Sequence, residues 1–321
     1  MEKKRVVVLM GGPSPEFGAS LKSGEAVLEA LDPARYEARA VFVDREGSWE
    51  IPPEEVAKSA DCAVIALHGS YGEDGTVQSL LERHGIPYTG SRTLPSALGM
   101  NKFLALQVFA DHGIRIPRTL FVAQSEWKVS EGVVAKTAAE YLGYPLIVKP
   151  NRSGSRIGVA LVKNESELKD ALAAVFHSAN EALIQEFIKG REFTCGVFDY
   201  GWSESAFPLL PTEIVPQFPA PPALVMTPPK GLAEQEVKNI QKVALEVHKR
   251  TGASGCSRTD MVMDAKKAVY VLEINTVPGF SRMSLLVKAA EASGVAFPRL
   301  LDILIEGAEH HDRAHRARRT A

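Results

Sequence analysis

A chain of 321 residues, 45% hydrophobic and 24% charged, has the make-up of a soluble globular protein with room for two or three compact units. A formal net charge of −2 argues against nucleic acid as the main partner, because phosphate backbones call for a basic surplus. Three cysteines, Cys62, Cys195 and Cys256, odd in number and far apart, exclude a disulfide framework, and no apolar run is long enough to cross a bilayer.

The apolar run after MEKKR is too short for a secretory signal, so no membrane contact and a cytoplasmic location are expected. Residues 5–10, RVVVLM, predict a buried parallel strand that ends in the turn GGPSPE. In SLKSGEAVLEAL, Leu21, Ala26, Val27, Leu28 and Leu31 recur with helical spacing. EARAVFVD and DCAVIALHG read as strands, and TVQSLLERHG as a helix closed by Gly85. Strands alternating with helices give an α/β fold with a parallel sheet. Ligands of such sheets lie at the C-terminal strand ends, which here are GGPSPE and LHGSYGEDG.

From about residue 98 the pattern changes. NKFLALQVFADHG and ESELKDALAAVFH are helical, YPLIVKPNRSGSRIGVALV is strand, glycine loop and strand, and ALIQEFIKGREFTCGVFD is strand, turn and strand. PTEIVPQFPAPPALVMTPPKG is rich in proline and has no period, so a loop is expected. A helix (AEQEVKNIQKVALEVHKRTG), a hairpin (SRTDMVMD, AKK, AVYVLEIN) and a final helix (FPRLLDILIEGAEHH) follow. The basic end HRARRTA is expected to be a disordered, solvated tail. The expected units are an N-terminal α/β domain over 1–97, a central one over 98–195, a C-terminal one over 196–310 and a tail over 311–321.

The hairpin carries the first chemistry. Pairing Asp264 with Val269 across the turn sets Asp260 opposite Glu273 and Arg258 opposite Asn275. Alternation then puts these four on one face. Two carboxylates in contact repel, and a divalent cation relieves that repulsion. All-oxygen ligands select Mg²⁺ or Mn²⁺ over zinc, so Asp260, Glu273 and Asn275 read as metal ligands. The plainer alternative is a surface ladder in which Arg258 bridges the two acids. The apolar flanks MVM and YVL speak against it. A second piece, KPNRSGSRIGV, offers backbone N–H groups and hydroxyls of Ser153, Gly154 and Ser155 to a phosphate, with Lys149 at the end of the preceding strand.

Together these motifs resemble those of the ATP-grasp ligases, and within them the D-alanine–D-alanine ligase family. GGPSPE, LHGSYGEDGTVQ, PYTGS, MNK, IVKPNRSGSRIGV, IKGREFT, SRTDMVM and LEINTVPGFSRMSL stand in the family's order from about residue 5 to about 308. The resemblance implies an ATP-grasp fold behind an N-terminal Rossmann-like domain, and an enzyme that joins two D-alanines through an acyl phosphate for peptidoglycan precursors. It implies ATP and two Mg²⁺ or Mn²⁺ ions as cofactors, and a homodimer. Lys102 and Lys149 match the phosphate-binding lysines, Gln185, Glu186, Phe187 and Ile188 the adenine segment, and Glu192 the ribose carboxylate. Glu16 matches the acid at the first substrate's ammonium, Ser155 the serine linked to it, and His68 a histidine beside that substrate. Arg258 and the Gly279 N–H match the groups facing the tetrahedral intermediate, and Ser284 and Leu285 the acceptor carboxylate site.

Three departures bear on this reading. The proline-rich segment 216–230 lacks the family's Lys-Tyr pair, and Lys230, its only lysine, is the candidate replacement. Gln185 stands where a glutamate is common, and EFGAS replaces an acidic, valine-bearing stretch after Glu16. An ATP-grasp ligase with another amino or hydroxy acid acceptor, and a non-catalytic ATP-binding relative, remain open alternatives.

Overall fold

The computed structural model describes residues 2–154, 158–201, 206–215 and 224–320, with backbone alone for Leu224 and for 311–320. The expected role of Ser155 and the loop interior 216–223 lie outside the described residues. The chain runs β1 (Lys4–Gly11), α1 (Phe17–Ala30), β2 (Tyr36–Val43), α2 (Pro53–Ser59), β3 (Cys62–Ile65), α3 (Thr76–His84), α4 (Thr93–Met100) and α5 (Lys102–Asp111). Then come β4 (Thr119–Ala123), α6 (Gln124–Tyr141), β5 (Leu146–Pro150), β6 (Ala160–Val162), α7 (Glu165–Ser178), β7 (Glu181–Glu186) and β8 (Gly190–Phe198). The last part holds β9 (Phe207–Pro208), β10 (Thr212–Val215), β11 (Leu224–Met226), α8 (Glu234–Thr251), β12 (Cys256–Asp264), β13 (Val269–Asn275), α9 (Leu285–Ala292) and α10 (Phe297–Thr320).

Three sheets result. The first is parallel, in the order β2-β1-β3. Its central strand is buried on both faces, which is why VVVLM is continuously apolar. Val6, Val8 and Met10 pack under α1, α9 and α10, while Val7 and Leu9 pack against Val56, Val77 and Leu81 of α2 and α3. The second sheet is antiparallel, in the order β4-β7-β5-β6, and is backed by α6 and α7. The third follows β11-β10-β8-β12-β13, with β9 beside β8, and rests on α5 and α8. β7 and β8 therefore belong to different sheets, and the chain crosses between them at 187–189, ahead of the expected unit boundary at 195.

Two expectations are corrected here. The proline-rich segment is not wholly a loop: its ends pair as strands, with Glu213 opposite Met226 and Val215 opposite Leu224. The β-branched run TEIV supplies the ladder, and β10 also pairs β8. The basic end is not a disordered tail either, because α10 continues to Thr320. Alanine and arginine are strong helix formers, and cations suit a helix C-terminus.

A buried polar chain ties β8, α8 and β12. The His248 ring lies 2.9 Å from Asp199 Oδ2 and 2.7 Å from Ser257 Oγ. Asp199 Oδ1 also accepts the N–H groups of Gly201 at 2.6 Å and Gly255 at 3.0 Å. Burial alone would raise the Asp199 carboxyl, but His248 and those N–H groups hold it below its usual range. A depressed carboxyl contributes stability above its unfolded pKa and loses it as pH falls through the folded one. Asp199→Ala is therefore expected to lower stability by about 3 kcal/mol at neutral pH in urea unfolding. The gap from the wild type is expected to narrow in acid.

Candidate active site

The β12–β13 ladder places Arg258 opposite Asn275 and Asp260 opposite Glu273, as the sequence predicts. The turn reaches that pairing differently. Met263, not Asp264, pairs Val269, and the turn is tightened by Lys267 at φ +66°. A β-bulge opposite Asp260 and Met261 then takes up Leu272 and restores the register. Both Leu272 and Glu273 consequently line the same side, while Val271 and Ile274 are buried in the core beneath.

Cations surround the two acids. Arg258 donates to Asp260 twice, Nε to Oδ1 at 3.1 Å and Nη2 to Oδ2 at 3.2 Å. Thr194 Oγ1 donates to Asp260 Oδ1 at 2.5 Å. Lys102 Nζ lies 3.4 Å from Glu273 Oε2 and donates to the Ser153 carbonyl at 2.5 Å. Burial opposes the Arg258 charge, but Asp260, with Glu273 and Glu73 further off, holds its pKa above the usual value. Burial pushes Lys149 down to about 8, against the attraction of Glu273 and Asp260. Asn275 Oδ1 accepts the Val277 N–H at 2.9 Å. Among the described residues no group of three or more His, Cys, Asp or Glu forms a metal cage. The local set of two carboxylates and an amide, all oxygen donors, suits a hard cation that takes further ligands from a phosphate.

Two cavities meet at this ladder. One, of about 200 Å³, is walled by Lys149 of the second sheet and by Asp260, Leu272 and Glu273 of the third. Gln185, Glu186, Phe187, Ile188 and Glu192 line it as well. The other, of about 360 Å³, holds Glu16, His68, Arg258, Asn275, Gly279, Ser284 and Leu285. Lys102, Ser153 and Glu273 belong to both linings. Every described residue expected at the site lines one cavity or the other. Lys230 lines neither: it is exposed, and its carbonyl accepts from Arg191 Nη2 at 2.8 Å.

Around His68 the larger cavity shows further side chains, Ser23 and Glu73, outside the residues matched to the motifs. Glu73 Oε1 is 3.4 Å from His68 Nδ1, and Ser23 Oγ is 2.8 Å from His68 Nε2. Ser23 Oγ also accepts the Phe280 N–H at 3.2 Å, joining α1 to the segment before α9. Ser281 and Ser284 hydroxyls lie 2.9 Å apart. The signal for Glu73 was present in GSYGEDG, five residues beyond His68, but Ser23 required the packing of α1.

The family model for the D-ala D-ala ligase C-terminus matches residues 108–306, and that for the N-terminus matches 5–58 and 50–91. The chain is 39% identical to the D-alanine–D-alanine ligase of Geobacter sulfurreducens, over 96% of this chain and 95% of that one. It belongs to the D-alanine–D-alanine ligase family. Its fold is similar to the ligase from Coxiella burnetii, with a TM-score of 0.88, 31% identity and coverage of 100% and 98% of the two chains. The ligase from Bacillus anthracis, solved in complex with ATP, matches with a TM-score of 0.83, 32% identity and coverage of 97% and 99%. Gln185 Nε2 donates to Thr119 Oγ1 at 2.8 Å across the β4–β7 pair.

The contact between the glycine loop and Glu16 gives a test. A Cβ added at Gly154 would stand 2.5 Å from Glu16 Oε1. Gly154→Ala is expected to raise the KM for the first amino acid about tenfold by displacing that carboxylate, with thermal stability unchanged. Steady-state kinetics beside a melting curve checks it.

Proposed function

We propose that this chain joins two D-alanines into D-alanyl-D-alanine with ATP, through an acyl phosphate, for peptidoglycan precursors. The observation that carries the reading is the shared wall of the two cavities, where Lys102, Ser153 and Glu273 face both. A phosphoryl group leaving one compartment for the other must cross there. The smaller cavity takes the nucleotide, with the adenine against Gln185–Ile188, the ribose at Glu192, and the phosphates at Lys102, Lys149, Ser153 and Gly154. The larger cavity takes the two amino acids.

In the first step an oxygen of the donor carboxylate attacks the γ-phosphorus of ATP, and ADP leaves. Lys102 and Lys149 balance the charge that spreads over the transferring group. Asp260, Glu273 and Asn275 would hold Mg²⁺ or Mn²⁺, whose contribution is to neutralise phosphate charge. Glu16 receives the donor ammonium, and His68, held between Ser23 and Glu73, flanks it. In the second step the acceptor amine attacks the acyl carbon, and inorganic phosphate departs once the tetrahedral intermediate collapses. Arg258 and the Gly279 N–H face the oxyanion of that intermediate, each such donor typically contributing about 3 kcal/mol. Ser284 and Leu285 receive the acceptor carboxylate at the N-terminus of α9. The cytoplasm, where ATP is available, is its proposed location, and a homodimer its proposed assembly. No helix among the described residues is long and apolar enough to span a membrane.

The test is ADP release and dipeptide formation from D-alanine, ATP and Mg²⁺, against a panel of other amino and hydroxy acids as acceptors. D-alanyl-D-alanine as main product is the expected result, and ADP release only with another acceptor would replace this reading. Glu273→Gln is expected to lower kcat by about a thousandfold while circular dichroism stays unchanged, because an isostere removes one charge at the junction. Near-normal turnover at saturating Mg²⁺ would remove Glu273 from the metal site.

A further inference from the structure

We propose that Trp49 is a positioning residue of the amino-acid compartment: through Tyr71 it holds the Glu73 carboxylate against His68. The inference rests on the ligase reading above and concerns a residue that lines neither cavity. Trp49 stands at the end of a tight turn that follows β2. There Asp44 Oδ1 accepts the N–H groups of Glu46 at 2.9 Å and Ser48 at 2.7 Å, and the Asp44 N–H donates to the Ser48 carbonyl at 2.9 Å. Val43 pairs Trp49 across the turn, so the backbone that carries the indole is fixed. From it the indole Nε1–H donates to Tyr71 Oη at 2.7 Å.

Tyr71 needs such a partner. Its φ of +75° lies in the left-handed region, where a residue with a Cβ is strained. Among the described residues other than glycine, only Lys267 shares that conformation, and Lys267 sits in the exposed β12–β13 turn. A strained backbone persists only where its surroundings hold it. The Tyr71 N–H donates to Asp74 Oδ2 at 2.9 Å, and its carbonyl accepts the Val77 N–H at 3.0 Å. Its ring packs, with that of Trp49, against the core that holds Val77 and Leu81. Trp49 adds the hydrogen bond to the side chain.

The strained residue links two groups of the site, His68 before it and Glu73 after it. The Glu73 N–H closes the loop onto the Gly69 carbonyl at 2.8 Å, and Glu73 Oε1 comes within 3.4 Å of His68 Nδ1. A Cβ added at Gly279 would stand 3.8 Å from His68 Nε2, so the ring that Glu73 steadies borders the Gly279 main chain. If Tyr71 relaxed to a negative φ, the chain from His68 to Glu73 would take another path and the carboxylate would leave the ring. The same turn braces a second acid-bearing segment. Arg45 lies over the Phe17 ring, 4.5 Å from its centroid, and Phe17 directly follows Glu16 in EFGAS.

The experiment measures ADP release with the acceptor that the wild type uses, beside a melting curve. Trp49→Phe keeps an aromatic ring and removes the N–H, and Tyr71→Phe removes the same hydrogen bond from the other partner. Each is expected to lower kcat about tenfold with the KM for ATP unchanged, because a small displacement of a positioned group is costly in rate. The double variant is expected to lose no more than either single one. Trp49→Phe placed on Glu73→Ala is expected to add no further loss, since the tether acts through Glu73. Tyr71→Gly placed on Trp49→Phe is expected to restore most of the lost rate, because glycine takes a φ of +75° without a tether. A packing defect would not be repaired by removing a ring. Unchanged kcat in both Phe variants, or a loss that adds to that of Glu73→Ala and survives Tyr71→Gly, overturns the assignment while leaving the ligase reading intact. A wild-type enzyme that releases no ADP with any amino or hydroxy acid overturns both.

Discussion

Two carboxylates held face to face across a β-ladder are the constraint around which this protein is arranged. Asp260 and Glu273 occupy paired positions, and the pairing is fixed by backbone hydrogen bonds rather than by the side chains themselves. Like charges at that spacing destabilise the strands unless cations are brought to them. Arg258 arrives from the same strand, Lys102 from the first turn of α5, and Lys149 from the end of β5 in another sheet. Two pieces of chain distant in sequence, α5 and β5, thus bring cations to one ladder. The apolar layer of α5 and α8 beneath holds the ladder rigid enough for that attraction to specify a geometry.

The remaining architecture follows from needing two compartments on either side of that ladder. The second and third sheets wall the nucleotide side, while the C-terminal ends of β1 and β3 deliver Glu16 and His68 to the other side. Each compartment takes its chemistry from the end or edge of a sheet with its own core. Arg258, Asp260, Glu273 and Asn275 sit on packed strands, while Glu16, His68, Ser153 and Ser284 sit in the short segments that leave strand ends or enter helices. Gly154 shows how close the parts come: a Cβ added there would stand 2.5 Å from Glu16 Oε1.

Much of this is legible in the amino-acid sequence. A continuous apolar strand entering a glycine turn marked the parallel sheet, and acids alternating on a β-hairpin marked the junction of the cavities. The hairpin also shows the limit of pattern reading. The expected turn was offset by one residue, and the correct facing of Asp260 and Glu273 survived because the bulge at Leu272 compensates. Bulges follow from the local twist and from what the core will accept, and alternation in sequence does not encode them. The strands β10 and β11 were hidden for a related reason: prolines around a short β-branched run masked a ladder that depends on the edge offered by β8. Glu73 stands in the motif that follows His68, whereas Ser23 is placed beside that histidine only by the packing of α1.

The last helix of the chain lies on the first sheet. Leu300, Leu301 and Leu304 of α10 share a core with Val6, Val8 and Val64, and Lys4 reaches Glu309 at 2.7 Å. During synthesis the opening strands therefore leave the ribosome long before the surface that covers them exists. α1 covers part of that face early, and the cover is completed only when α9 and α10 pack on it. Such sequence-distant contacts slow folding and leave hydrophobic strands exposed in the meantime.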